Sequence, residues 1–171
     1  MILGIIPNKN DGWILDGNLK ILTKLCDKVI IGLDNCDDDS RNIAEKFHNT
    51  LIIENFNSEL SIYNQNRRQS LLEKARELAV NPIIIAVDAD EIFSEEILHE
   101  KNLKIIKNLD IETVLEVKFR ELWFSPFLYR SEKKSIWASR SMPCIWRDNG
   151  ENYPLNNWHE NRIPKKKKIN F

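Results

Sequence analysis

The run Ile83-Ile84-Ile85-Ala86-Val87-Asp88-Ala89-Asp90-Glu91 constrains this chain more than any other stretch. An unbroken apolar segment leads directly into three carboxylates within four positions. Flanked by polar sequence, it reads as a strand buried on both faces, the kind found in parallel sheets. Burying Asp88 with that strand would be very costly, so Asp88 has to stand where the strand leaves the core. Residues two apart on extended chain project the same way, so Asp88 and Asp90 can converge on one cation. A hard, oxygen-seeking divalent metal, Mn²⁺ or Mg²⁺, suits such a pair, with phosphate oxygens as further ligands. The same residues also suit a solvated acidic loop behind a core strand, and their companions have to decide.

Periodicity along the chain switches repeatedly between strand and helix. Residues 2–6 are a short buried-strand candidate, ended by Pro7 and the polar Asn8-Lys9-Asn10-Asp11-Gly12. Residues 13–25 place Ile14, Leu15, Leu19, Leu22 and Leu25 at helical spacing. Residues 29–33 form a second apolar run that ends in Asp34, and Asp39 or Ser40 offers an N-cap for a helix over 41–48. A third strand follows at 51–53. The spacing predicts a helix over 66–80, with Leu71, Leu72, Ala75, Leu78 and Ala79 inward, stopped by Asn81-Pro82 ahead of a strand at 83–87. Another helix is expected over 94–109, with Ser94 as N-cap and Glu95 and Glu96 at the positive end of its dipole.

Such alternation over residues 1–110 implies an α/β fold, a mostly parallel central sheet with right-handed crossovers and flanking helices. Ligands of these sheets bind outside the carboxyl ends of the strands. Polar groups reach that edge three times, at residues 7–11, at Asp34 and at residues 88–91. Three exits on one edge imply a binding crevice.

Composition removes other classes. A net charge of −1 offers no basic excess for nucleic acid, so no nucleic-acid partner is expected. Cys26, Cys36 and Cys144 lack paired or zinc-type spacing, which implies reduced thiols and a cytoplasmic protein. The apolar start at 1–6 is too short for a signal peptide and lacks its basic flank, and no stretch approaches membrane-spanning length.

Beyond Asp110 the character changes. Residues 113–119 are a strand candidate, and 122–159 are rich in aromatic rings, with four of the five tryptophans: Trp123, Trp137, Trp146 and Trp158. Flat rings stack on sugars and fill cores equally well. A polar cluster, Trp158-His159-Glu160-Asn161-Arg162, closes this segment. The tail with Lys165, Lys166, Lys167 and Lys168 reads as a solvated end, with peripheral membrane contact as the alternative. Residues 1–164 are therefore taken as one domain, a nucleotide-binding half (1–110) and an aromatic-rich half (111–164), followed by a basic tail at 165–171.

The chain resembles glycosyltransferases of the GT-A fold, and is most similar to their family 2 type. Leu3-Gly4-Ile5-Ile6-Pro7-Asn8-Lys9-Asn10 resembles the opening strand and its "KN" turn, and Asp34-Asn35-Cys36-Asp37-Asp38-Asp39 the D-[DN]-x-S-x-D element. Arg67-Arg68-Gln69-Ser70-Leu71-Leu72 resembles the Arg-bearing helix, and Asp88-Ala89-Asp90-Glu91 the D-x-D-E signature. A weaker likeness joins Pro143-Cys144-Ile145-Trp146-Arg147 and His159-Glu160 to a "P-R-x-[FW]-R … H-E" pattern. Asp37 stands where the family usually has Ser, and Arg41 near its usual Thr. The chain is shorter than most members, so the acceptor region would be reduced, and a homo-oligomer could complete it.

That resemblance implies a metal-dependent, inverting transfer of sugar from a UDP- or GDP-sugar donor to a sugar or glycolipid acceptor, in glycan or lipopolysaccharide-type synthesis. Pro7, Asn8, Asn10 and the Asp34–Asn35 pair would line the nucleotide pocket, and Arg68 would face the base or diphosphate. Asp88 would approach the ribose, or the metal through water, and Asp90 would ligate the metal. Glu160 would be the base, with His159 as metal ligand or alternative base, Glu91 in reserve and Asp148 as a weaker carboxylate. Two other readings share parts of this pattern: a D-x-D phosphatase with Asp88 as nucleophile, and a nucleotide-sugar-binding domain without catalysis.

Overall fold

A computed structural model describes residues 1–54, 64–122, 124, 127–132, 140–154, 162–164 and 168–170. A seven-stranded sheet runs in the order β3-β2-β1-β4-β6-β5-β7. Its strands are β1 (Ile2–Asn8), β2 (Lys28–Leu33), β3 (Thr50–Glu54), β4 (Ile83–Ala86), β5 (Thr113–Phe119), β6 (Arg140–Arg147) and β7 (Lys168–Asn170). Only β6 runs against the others, pairing antiparallel with β4 and β5. The mostly parallel α/β sheet expected from the sequence is therefore the architecture found.

Helices cover both faces. The unbroken apolar strands supply both, because alternate residues point to opposite sides. Ile2, Ile6, Val29, Ile31, Ile83 and Ile85 face a core shared with α1 (Gly12–Leu25), α2 (Ser40–Glu45) and α4 (Glu100–Lys107). Leu3, Ile5, Ile30, Ile84 and Trp146 face the other core, closed by α3 (Asn64–Leu78) through Leu71, Leu72 and Ala75. Trp146 and Tyr153 are core rings there, edge to face with centroids 6.4 Å apart.

Several elements differ from expectation for identifiable reasons. Pro7 does not end β1, which continues to Asn8. The Asn8 carbonyl accepts from Asp34 on the β2 side and the Ile5 carbonyl from Val87 on the β4 side. By alternation the nitrogen of Pro7 faces the β4 side, beyond the last paired residues Ile5 and Ala86, where no donor is needed. The helix expected over 94–109 splits into a 3₁₀ turn at Glu95–Leu98 and α4, with His99 extended between them. Asn102 Nδ2 donates to the Glu96 carbonyl (2.7 Å) across the break. The break lets Ile97 and Leu98 pack on the core together with Leu103 and Ile106. Helix α2 stops at Glu45, where Thr50 Oγ1 donates to the Ala44 and Phe47 carbonyls and turns the chain into β3.

Strand β6 has no alternating signal, and Pro143 sits beside the register shift between Leu115 and Glu116, where a bulge tolerates it. At the chain's end, Lys168–Asn170 pairs in parallel with β5 where a solvated tail was expected.

Candidate functional site

Strands β1, β2 and β4 are parallel neighbours, so their carboxyl ends lie on one edge. The order runs outward from β1 through β2 to β3 and then reverses to β4. This reversal opens a crevice between the ends of β1 and β4. There lies a cleft of about 230 Å³, lined by Pro7, Lys9, Asp11, Arg67, Asp88, Ala89 and Asp90.

Two turns cross at this edge, and the first of them lines the cleft through Lys9 and Asp11. Asn10 and Asn35 adopt left-handed backbone, φ 59° and 46°, which asparagine tolerates better than most residues. Asn10 Oδ1 accepts the Asp37 N–H (3.0 Å), and Asp38 accepts the N–H groups of Gly12 (2.7 Å) and Ser40 (3.0 Å). A Cβ on Gly12 would stand 2.8 Å from Asp38 Oδ2, so glycine lets the turns close. Burial acts to raise the Asp38 carboxyl, but the Ser40 hydroxyl and these N–H groups outweigh it and hold the pKa low. Beneath the turns, Asn8 is buried and its Nδ2 donates to Cys36 Sγ (3.3 Å).

Helix α3 sends two successive arginines to the strands flanking β1. Arg67 Nη2 lies 2.7 Å from Asp34 Oδ2, and Lys9 Nζ lies 3.7 Å from the same oxygen and donates to the Asp34 carbonyl (3.0 Å). Arg68 turns inward, 1% exposed, and pairs with Asp88 Oδ1. The sequence assigned the cleft to Arg68, whereas Arg67 lines it. Arg68 extends the inward stripe of Leu71, Leu72 and Ala75, at helical spacing i, i+3, i+4 and i+7, and that spacing was the available signal.

The acidic corner is held from two sides. Asn18 Nδ2, on α1, donates to the carbonyls of Asp88 (3.0 Å), Ala89 (3.3 Å) and Glu91 (2.6 Å). Arg162 donates to Asp88 Oδ2 (3.1 Å) and to both Glu91 oxygens, and the Asp88 N–H donates to Glu91 Oε2 (3.1 Å). Neither Asn18 nor Arg162 was assigned a role by sequence reasoning. Glu91, the reserve base, is thus committed to Arg162. Asp88, with both oxygens in ion pairs, is not a free phosphatase nucleophile.

Asp90 is the exception. Among the described residues it forms no ion pair. Partial burial raises its pKa, and the charges of Asp88, Glu91 and Asp11 push it further the same way. No group of three His, Cys, Asp or Glu among the described residues makes a self-sufficient metal cage. Mg²⁺ and Mn²⁺ at nucleotide sites use one or two carboxylates with phosphate oxygens, and Asp90 fits that donor set.

Asp148 lies elsewhere. Its N–H donates to the Pro82 carbonyl at the opposite end of β4, and its oxygens take a bidentate pair from Arg76 (2.8 and 2.9 Å). Its role is structural, which corrects its assignment as a candidate base. His159 and Glu160 lie outside the described residues, as do Trp123, Trp137, Trp158 and Lys165, Lys166 and Lys167. No helix among the described residues is long and apolar enough to cross a membrane.

No protein-family model and no curated protein match the chain. Solved structures do. S. aureus TarS 1–349 superposes with a TM-score of 0.61 at 19% identity, over 90% of this chain and 50% of that one. Its complex with UDP-GlcNAc gives 0.61 at 18% identity, over 90% and 48%. The chain has a GT-A-like fold. A 4-diphosphocytidyl-2C-methyl-D-erythritol synthase shares it more distantly, with a TM-score of 0.51 at 14% identity, over 85% of this chain and 74% of that one. The chain spans about half the length of the TarS fragment it matches.

Proposed function

We propose that this chain binds a nucleotide-diphosphate sugar, UDP- or GDP-linked, and passes the sugar to an acceptor hydroxyl, as an inverting transferase of family 2 type. One observation carries the reading: Lys9 and Arg67, both paired with the buried Asp34, and Asp88 with Asp90 line a single cleft at the strand-order reversal. Lys9 and Arg67 supply positive charge for a diphosphate. Asp34, buried behind them, holds Lys9 and Arg67 in place, and Asp88, fixed by two guanidiniums, presents a rigid edge beside them. Solved TarS with UDP-GlcNAc has the same fold, which supports a nucleotide-sugar donor here.

Mn²⁺ or Mg²⁺, when bound, would offset the negative charge that builds on the departing diphosphate. Asp90 would hold it, with His159 as a further ligand. Deprotonating the acceptor hydroxyl falls to Glu160, since Glu91 is committed to Arg162. A nucleotidyltransferase of the same fold would need a glycine-rich basic loop after β1. Residues 8–12 supply one lysine and one glycine, which favours the transferase.

A thermal-shift panel of UDP, GDP and their sugars, with and without Mn²⁺, tests the reading. At least one nucleotide should raise the melting temperature further with the metal present. No shift with any nucleotide and any divalent metal overturns it.

A further inference from the structure

Three carboxylates within four residues would ordinarily draw a divalent cation as a group. Here two of them are already taken. Arg68 holds one oxygen of Asp88, while Arg162 holds the other and both oxygens of Glu91. Arg68 is part of α3, next to the stripe that packs it. Arg162 arrives from far along the chain, 71 residues beyond Glu91. Its side chain is 7% exposed, and its carbonyl accepts the Tyr153 hydroxyl (2.6 Å), which anchors it from behind.

Building on the nucleotide-sugar reading, we propose that Arg162 sets the loading order at this corner. It withholds Asp88 and Glu91 from the cation, so that the ion binds together with the diphosphate and not ahead of it. Three carboxylates against two guanidiniums leave one net negative charge, carried by Asp90. Asp90, with only Asp11 as a further uncommitted carboxylate among the described residues of the cleft, is a weak site for a strongly hydrated ion, and phosphate oxygens complete it. Arg162 is therefore a positioning residue, acting on the cation through the carboxylates it holds.

The experiment is a Mn²⁺ titration of the full chain, followed by the paramagnetic resonance of free Mn²⁺, with and without UDP and GDP. Wild-type protein should bind Mn²⁺ weakly alone and much more tightly with the nucleotide that fits. Arg162→Met frees Asp88 and Glu91, and the extra charge close to the ion should raise nucleotide-free Mn²⁺ affinity about tenfold. The gain from nucleotide should shrink accordingly. Arg162→Lys, a point charge without the planar fork, should fall between the two. A merely structural role would leave nucleotide-free affinity unchanged or lower it, and either result in a folded Arg162→Met protein overturns the proposal. If Arg162→Met does not fold, Arg162→Lys decides by the same criterion. If neither nucleotide tightens Mn²⁺ binding while Arg162→Met still does, the nucleotide reading fails and the masking by Arg162 stands.

Discussion

Arg67 and Asp34 join the start of α3 to the end of β2 through a 2.7 Å ion pair on the wall of the cleft. Asp34 is 1% exposed, so its carboxylate depends on this guanidinium and on Lys9. Arg67→Ala should therefore weaken nucleotide binding and also destabilise the fold, because it removes one partner of a buried charge. A roughly tenfold loss of UDP or GDP affinity by calorimetry is expected, equivalent to about 1.4 kcal/mol, with a lower melting temperature. Unchanged nucleotide affinity would remove Arg67 from the binding wall.

Asp90 gives the pH dependence its sign. Its pKa is raised by partial burial and by the neighbouring carboxylates, so the folded protein binds this proton more tightly than the unfolded chain. The ionised group thus opposes folding above its folded pKa, and the opposition is relieved as pH falls through that value. Asp90→Asn should raise the melting temperature of the ligand-free protein at neutral pH and abolish the Mn²⁺-dependent part of the nucleotide effect. In the wild type that Mn²⁺-dependent part should fade on acidification at a higher pH than for an ordinary aspartate. A metal effect that survives Asp90→Asn would place the ion elsewhere.

Much of this edge was legible because burial of charge is so unfavourable. An apolar run that ends in Asp34 or Asp88 has to end where the sheet ends. Helix phase is equally readable, and it distinguishes Arg68, on the inward stripe, from Arg67, which lines the cleft. The spacing of Arg68 from Leu71, Leu72 and Ala75 places it on that stripe. Arg162 could not be read at all, since its contacts span more than 70 residues and depend on how the C-terminal segment returns to β4. Strand β6 was hidden for another reason. Only Cys144, Ile145 and Trp146 are buried in it, too few to show a period.

Asp148 separates stability from binding. It receives two guanidinium bonds from Arg76, which also donates to the Glu151 carbonyl (2.6 Å) and to Asn152 Oδ1 (2.7 Å). This cluster fastens α3 to the loop after β6, at the sheet edge remote from the cleft. Asp148→Ala should cost about 2–3 kcal/mol of stability by denaturant unfolding, because a largely buried charged pair loses one member. Nucleotide affinity of the folded protein should stay within about twofold of wild type, a difference of roughly 0.4 kcal/mol. A large loss of affinity without loss of stability would return Asp148 to the list of functional carboxylates.

The three cysteines provide a chemical readout of the same architecture. Cys26 and Cys144 are buried, and burial raises both thiols, Cys144 to about 12, so neither offers thiolate at mildly alkaline pH. Cys36 is half-buried in the turn after β2, where its Sγ accepts from Asn8 Nδ2 and the Asn10 N–H. A disulfide reagent such as Ellman's should titrate one thiol quickly in the native protein and all three after unfolding. Cys36→Ser should eliminate the fast phase. Saturating nucleotide with Mn²⁺ should slow it, because Pro7 and Lys9, which flank Asn8, line the cleft. Two fast thiols in the native protein would contradict the packing of Cys26 or Cys144. A Cys36 rate indifferent to every nucleotide would separate the asparagine turn from the donor site.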